Sequence, residues 1–213
     1  MSTEELLQKL AAVSVCQIAD AVGKELAIDT TIRPLQPSFR ICAPAYTVRC
    51  SLNDNLTLHH ALHAAKRGQV LVVEGGEGDA ALWGELMSIS AQAKGLNGTI
   101  IDGPARDPLE IGRLNYPVFA RSVRPRRASK EHYGDVGCPV HIGEMTVLPG
   151  QIVVADCNGI ASFHPQSLHR ILEQSLAVVA KEDQLKESLR TGRTYFEIAG
   201  LSSLLPERSR AAQ

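Results

Sequence analysis

Two short groups of residues in this chain could bind and activate a small anion. The first is Gly84-Glu85-Leu86-Met87 and the second is Arg106-Asp107, with twenty residues between Glu85 and Arg106. If a helix starts near Gly84, its first backbone N–H groups have no partner within the helix and can bind a carboxylate. A guanidinium and a carboxylate beside those amides would make an anion site next to a metal ligand.

The segment between the two groups predicts a helix followed by a returning strand. Leu86–Lys94 suits one short helix, which Gly95 would end. Gly98–Ile101 has the composition of a short buried strand, and Gly103-Pro104 is expected to break it. A helix and a strand of these lengths bring the two groups back to the same edge of a sheet. The sequence therefore predicts a single site there, which suits a small 2-oxo acid.

The charged residues of both groups also have structural interpretations. Asp107, followed by Pro108 and Glu110, fits a helix N-cap with a capping box, or it could be a carboxylate ligand of magnesium, which needs only one or two protein carboxylates. Arg106 could form a surface ion pair, or its planar fork of donors could hold a carboxylate or an enolate oxygen. Glu85 could be a favourable charge near a helix N-terminus, or it could hold a water as general acid or base.

Composition argues against several classes of function. A net charge of −1 over 213 residues gives no field to attract nucleic acid. No apolar run approaches the ~18 residues needed to span a bilayer and no targeting segment is visible, so a cytoplasmic protein without membrane contact is expected. The five scattered cysteines predict reduced, mostly buried thiols. His59 and His63 share a helix face but lack a nearby third zinc ligand, so solvent-facing or core histidines are favoured.

The order of the predicted elements indicates an α/β fold. Strands and helices alternate up to about residue 120, a run of short strands follows, and Pro165–Gly192 predicts one long amphipathic helix. Residues 1–213 are expected to form one layered domain with a mixed sheet, in which residues 165–213 supply oligomer contacts. The basic, proline-bearing segment Arg121–Lys130 predicts an exposed loop.

At the residues named above, the chain resembles the RraA-like family, which includes 4-hydroxy-4-methyl-2-oxoglutarate and 4-carboxy-4-hydroxy-2-oxoadipate aldolases. The family pattern is an acid after glycine, twenty residues, then Arg-Asp, and this chain has it at Glu85 and Arg106-Asp107. Other similar stretches are Val15–Gly23, Pro44–Cys50, Asn55–His59, Pro117–Arg121, Pro149–Gly150 and Asp156–Gly159.

The resemblance implies a swivelling β/β/α-type domain that assembles as a homotrimer or a hexamer, with active sites at subunit interfaces. It implies that the backbone of Gly84–Met87 and the side chain of Arg106 bind pyruvate, and that Asp107 ligates magnesium or manganese. Glu85 stands where the aldolases have an aspartate that holds a water.

The activity implied is metal-dependent retro-aldol cleavage of a 4-hydroxy-2-oxo acid to pyruvate, or decarboxylation of oxaloacetate through the same enolate. The alternative is a protein-binding regulator that inhibits a ribonuclease without this chemistry.

Overall fold

The structure is a computed structural model that describes residues 2–23 and 26–206. Within these ranges the helices are α1 Thr3–Leu10, α2 Val15–Val22, α3 Leu56–Ala64, α4 Glu85–Lys94, α5 Pro108–Leu114, α6 Leu168–Arg190 and α7 Tyr195–Ile198. The strands are β1 Ala27–Asp29, β2 Arg33–Pro34, β3 Ile41–Arg49, β4 Val70–Glu74, β5 Gly98–Ala105, β6 Val118–Val123, β7 Asp135–Val136, β8 Val140–Ile142, β9 Met145–Val147, β10 Ile152–Asp156 and β11 Gly159–Phe163. One turn of 3-10 helix, Pro165–Ser167, leads into α6, and another, Leu201–Leu204, follows α7.

A mixed sheet forms the frame of the fold, with strand order β1-β11-β10-β3-β4-β5-β6-β2 and β7 paired with the end of β3. Strands β3, β4, β5 and β6 run parallel, and the remaining pairs are antiparallel. Helices α3, α4 and α5 make the crossovers that parallel pairing requires. The carboxyl ends of β4 and β5 therefore meet at one edge, beside the starts of α4 and α5.

Apolar side chains cover both faces of this sheet, which is why its inner strands are continuous apolar runs. In β10, Val153 and Ala155 belong to one buried cluster, whereas Ile152 and Val154 belong to the other. The second cluster also contains residues of α1, α2 and the first half of α6. The mixed sheet and the long C-terminal helix confirm the predicted α/β class.

Strand β5 is longer than the sequence predicts. The expected break at Gly103-Pro104 is wrong: the strand continues to Ala105, with a register irregularity between Ile101 and Pro104. Strand β4 ends opposite Asp102, and the segment 81–83 then takes its place along β5. Pro104 lacks an N–H group, but its carbonyl oxygen accepts a hydrogen bond from the Leu82 N–H at 2.9 Å. The hydrogen bond from Leu82 thus lets β5 continue through Pro104, although proline usually ends a strand.

The five cysteines are free thiols, but they are less buried than expected. Cys16 and Cys157 are exposed, and the other three are half-buried. Burial raises the pKa of Cys42 and of Cys50 to about 12, so both stay protonated near neutral pH. Among the described residues, no helix is both long and apolar enough to cross a membrane.

Candidate active site

The start of α4 is fixed by buried hydrogen bonds. The Trp83 indole N–H donates to Ser88 Oγ at 2.7 Å, and this hydroxyl in turn donates to the Gly84 carbonyl at 3.1 Å. Trp83 is 1% exposed and stacks on Tyr116, with ring centroids 6.3 Å apart. The first backbone hydrogen bond of the helix joins Ser88 N–H to the Gly84 carbonyl. The N–H groups of residues 85–87 therefore have no acceptor within α4 and point out of its N-terminal end.

The turn after β5 comes directly against this helix start. The Arg106 N–H donates to the Trp83 carbonyl at 2.9 Å, and Asp107 Oδ2 accepts from the Glu85 N–H at 3.1 Å. Arg106 Nε lies 3.4 Å from the same Asp107 oxygen. The two groups of residues singled out in the sequence thus meet at one edge of the sheet.

The predicted capping box at Asp107 is absent. Asp107 occupies the N-cap position of α5 but has a left-handed backbone, with φ 60° and ψ 45°, and its side chain makes no hydrogen bond to its own helix. Its carboxylate instead accepts from the first amide of α4. The Asp107 carboxylate bonds to an amide 22 residues away and not to its own helix, because the turn directs it toward the unpaired first amide of α4.

The glycine at position 84 allows this close approach. A Cβ there would lie 2.6 Å from Asp107 Oδ2 and 3.0 Å from Arg106 Cγ. The backbone of Gly84 is extended, with φ −163°, so the backbone angles alone would allow any residue. A larger residue at this position would have to displace the side chains of Arg106 and Asp107.

A cleft with a volume of about 320 Å³ opens beside this contact. Four of the residues predicted for the site line it: Gly84, Leu86, Met87 and Arg106. The other lining residues are Asn55, His59, Ala81, Leu82, Trp83, Arg127 and Lys130. Glu85 and Asp107 are not part of the lining and lie beside it, joined to it through their hydrogen bond and through Arg106.

Sequence reasoning missed four polar residues of this lining: Asn55, His59, Arg127 and Lys130. Asn55 Nδ2 donates to the Leu82 carbonyl at 2.9 Å, whereas its buried Oδ1 has no partner among the described residues. Burial, and then the charge of Lys130, lower the pKa of His59, which favours a neutral imidazole. The signals in the sequence were the one-turn spacing of Asn55 and His59 and the basic run that ends at Lys130.

The buried carboxylate of Asp54 holds the loop that carries the last two of these residues. It is 1% exposed and accepts hydrogen bonds from Ser129 Oγ at 2.6 Å, Glu131 N at 2.6 Å, Leu56 N at 2.9 Å and His132 N at 3.1 Å. Burial alone would raise the pKa of this carboxyl, but these hydrogen bonds outweigh burial and hold its pKa well below its usual range.

The residues present fit a hard divalent cation with one protein carboxylate. In residues 2–23 and 26–206, the His, Cys, Asp and Glu side chains form no cluster of three or more that could hold a metal. The Asp107 side chain is 35% exposed, and only its Oδ2 has a described partner. Its other oxygen can serve a cation such as Mg²⁺, which keeps most of its waters.

Comparison with known proteins gives the family. The profile of the RraA-like family, described as Aldolase/RraA, matches residues 15–161. The chain belongs to the RraA-like family. The match includes Gly84–Met87, Arg106 and Asp107, and also the cleft residues Arg127 and Lys130.

Three related proteins show how the family extends along the chain. An uncharacterized protein of Methanocaldococcus jannaschii is 32% identical over 88% of this chain and 90% of its own length. A protein of Halalkalibacterium halodurans, provisionally named 4-hydroxy-4-methyl-2-oxoglutarate aldolase, is 26% identical over 84% of this chain and 88% of its own. The RNA-processing inhibitor RraA from Thermus thermophilus superposes with a TM-score of 0.65 at 26% identity, covering 71% of this chain and 92% of that one.

Replacement of Asp54 by alanine is expected to destabilise the protein in a pH-dependent way. Three backbone amides and a hydroxyl would lose a buried acceptor, which costs about 1–3 kcal/mol near neutral pH. Because the folded pKa lies below the unfolded value of 3.8, this stabilisation is present above that value and declines as the pH falls toward the folded pKa. Urea unfolding of both proteins from about pH 7 down to about pH 2.5 measures the difference.

The exposed Asp79, which pairs with Arg126 at 2.6 Å, provides the matched control. Asp79→Ala is expected to change the free energy of unfolding by less than about 1 kcal/mol. If Asp54→Ala lowers the free energy of unfolding by the same amount at every pH, the hydrogen bonds to the ionised Asp54 are not the origin of the stabilisation.

Proposed function

We propose that this chain is a divalent-metal-dependent lyase that forms pyruvate by retro-aldol cleavage of a 4-hydroxy-2-oxo acid of the 4-hydroxy-4-methyl-2-oxoglutarate type. The observation that carries the proposal is the contact between the start of α4 and Arg106-Asp107 at the edge of the cleft. This contact combines helix amides, a guanidinium and a carboxylate, which together suit an anionic substrate with a reacting carbonyl group. The aldolase name of the Halalkalibacterium relative supports the reaction class.

In this proposal, the 2-oxo acid binds through its carboxylate. The Arg106 guanidinium lies at the cleft wall and can form two parallel hydrogen bonds to a carboxylate. The N–H groups of Leu86 and Met87 precede the helical ladder of α4, and the positive end of the helix dipole favours the same charge. Together these groups orient the 2-oxo group toward Asp107.

Asp107 would hold the cation, either magnesium or manganese. Its backbone conformation and its bond to the Glu85 amide fix one carboxylate oxygen and leave the other for the metal. When bound, the cation supplies a Lewis acid that withdraws electron density from the 2-oxo group. Arg106, beside Asp107, adds a second positive charge that stabilises an enolate oxygen.

The proton transfers are assigned to a water held by Glu85. This water takes the proton of the C4 hydroxyl, after which the C3–C4 bond breaks and C4 becomes the carbonyl carbon of the second product. The electron pair remains on the pyruvate fragment as an enolate, and a proton delivered to C3 gives pyruvate. Decarboxylation of oxaloacetate passes through the same enolate, so one site could support both reactions.

A second function, binding to and inhibiting a ribonuclease, is supported by the structural likeness to an RNA-processing inhibitor. Such a regulator needs neither the cation nor the cleft residues for its action. Inhibition of a ribonuclease by a protein that releases no pyruvate from any substrate would favour it over the lyase.

The chain is expected to assemble as a homotrimer or a hexamer. Helix α6 leaves Leu176 43% exposed and Leu189 39% exposed, and Tyr195 of α7 is 55% exposed. A partner subunit that covers these side chains would remove apolar surface from water. Sedimentation analysis at micromolar concentration measures the mass, and a monomer would contradict the expected assembly.

Pyruvate release from a panel of 4-hydroxy-2-oxo acids and oxaloacetate, with magnesium and with a chelator, tests the lyase directly. We expect metal-dependent release that Arg106→Ala abolishes. Arg106→Lys should restore little activity, because an ammonium group cannot reproduce the planar fork of donors. Near-normal turnover in both variants would show that Arg106 does not bind the substrate carboxylate.

Substitution of Asp107 separates the metal role from the structural one. Asp107→Asn keeps an oxygen for the Glu85 amide and tolerates the left-handed backbone, so the stability loss should stay within about 1 kcal/mol. The change removes the negative charge that a hard cation needs, so metal affinity and turnover should fall together.

Asp107→Ala is the comparison, because it loses both the acceptor and the charge. Melting temperature and magnesium-dependent pyruvate release are measured for both variants. A folded asparagine variant with normal magnesium-dependent activity would refute the metal assignment.

A further inference from the structure

The basic segment Arg121–Lys130 contains five cations, of which three have partners in the described part of the chain. Arg121 pairs with Asp102, and Arg126 Nη1 lies 2.6 Å from Asp79 Oδ2. Arg124 Nη1 donates to the Val123 carbonyl at 3.2 Å. None of these three side chains lines the cleft beside Arg106.

The two remaining cations, Arg127 and Lys130, both line that cleft. Neither side chain makes a hydrogen bond or an ion pair with any described residue. The lining contains a third cation, Arg106, and no Asp or Glu. Arg106 has Asp107 beside it, whereas the charges of Arg127 and Lys130 are not compensated by any described acid. The cleft therefore carries excess positive charge, which favours a ligand with more than one negative charge.

The backbone places Arg106 and Arg127 on opposite sides of one short extended segment, residues 81–83. On one side, Leu82 N–H donates to the Pro104 carbonyl, at 2.9 Å, and residue 83 forms a bridge with residue 105. On the other side, Ala81 N–H donates to the Arg126 carbonyl, at 2.8 Å, and residue 81 forms a bridge with Arg127.

The backbone that carries Arg127 is held firmly on both sides. Ala128, the next residue, is 2% exposed, and Ser129 N–H donates to the Asn53 carbonyl at 2.9 Å. The Asp54 carboxylate accepts from Ser129 and from two later amides of the same loop. Arg127 therefore projects from a fixed position, so its distance from Arg106 is set by the fold.

We propose that Arg127 determines substrate specificity by binding a second carboxylate, at the end of the substrate opposite the 2-oxo acid group, with Lys130 adding to the positive charge there. This proposal rests on the proposed function, in which Arg106 binds the first carboxylate. A dicarboxylic 4-hydroxy-2-oxo acid then spans the cleft between two arginines. A substrate with a methyl group in place of the second carboxylate leaves Arg127 unpaired.

A matched pair of substrates tests the assignment. In 4-hydroxy-2-oxoglutarate the second carboxylate is present, and in 4-hydroxy-2-oxopentanoate a methyl group replaces it. We expect the wild-type protein to prefer the dicarboxylate by about tenfold or more in kcat/KM, the contribution of a hydrogen bond to a charged group. Arg127→Ala should bring this preference close to unity, mainly through KM, with little effect on the monocarboxylate. Arg127→Lys should keep part of it.

Arg126→Ala is the control, because it removes a neighbouring charge that pairs with Asp79 outside the cleft. It should leave the preference unchanged. An equal loss in the two alanine variants would show that net charge, not a contact from Arg127, produces the preference, and would overturn the assignment.

Titration calorimetry with 2-oxoglutarate and 2-oxopentanoate, in the presence of magnesium, repeats the comparison without turnover. Pyruvate release from both hydroxy acids with no preference would refute the role of Arg127 and leave the lyase standing. Selective binding of 2-oxoglutarate that depends on Arg127, without any pyruvate release, would refute the lyase and leave the second carboxylate site standing. Absence of binding and turnover would refute both.

Discussion

The close approach of two chain segments at Gly84 is the constraint on which the site depends. The start of α4 and the turn after β5 lie very near each other. A methyl group at position 84 would lie 3.0 Å from Arg106 Cγ and 2.6 Å from Asp107 Oδ2. Across this gap the Asp107 carboxylate accepts a hydrogen bond from the Glu85 amide at 3.1 Å. The guanidinium, the carboxylate and the helix amides are thus held together by one main-chain hydrogen bond, from Arg106 N–H to the Trp83 carbonyl, and by the side-chain contacts of Asp107.

The sheet supplies the rigidity that this contact requires. Residues 81–83 extend the sheet beyond the end of β4 and bond to β5 on one side and to the basic segment on the other. Trp83, in the middle, is fixed by Ser88 and by its stacking on Tyr116. The site consequently lies at the carboxyl ends of parallel strands, where α/β proteins commonly bind small ligands.

The order of the elements and the meeting of the two groups at one sheet edge were predicted correctly, whereas details that depend on particular distant partners were not. Helix α4 follows from its glycines: Gly84 precedes it, and Gly95 ends it with a left-handed backbone. The continuation of β5 depends on Leu82, and the direction of the Asp107 carboxylate depends on the Glu85 amide, neither of which a local pattern contains. The basic segment was visible in the sequence. Which of its cations remain unpaired was not, because the acids that pair with Arg121 and Arg126 come from elsewhere in the chain.

The two ends of the cleft are built from different kinds of structure. Arg106 and Asp107 belong to the sheet edge, where any change disturbs main-chain contacts, whereas Arg127 belongs to a loop that is anchored by Asn53 and Asp54 through its neighbours. Loops of this kind accept substitutions more readily than strand ends do. Under the proposed assignment of Arg127, exchange of this one exposed side chain would change the molecule recognised while leaving the contact at the other end of the cleft in place.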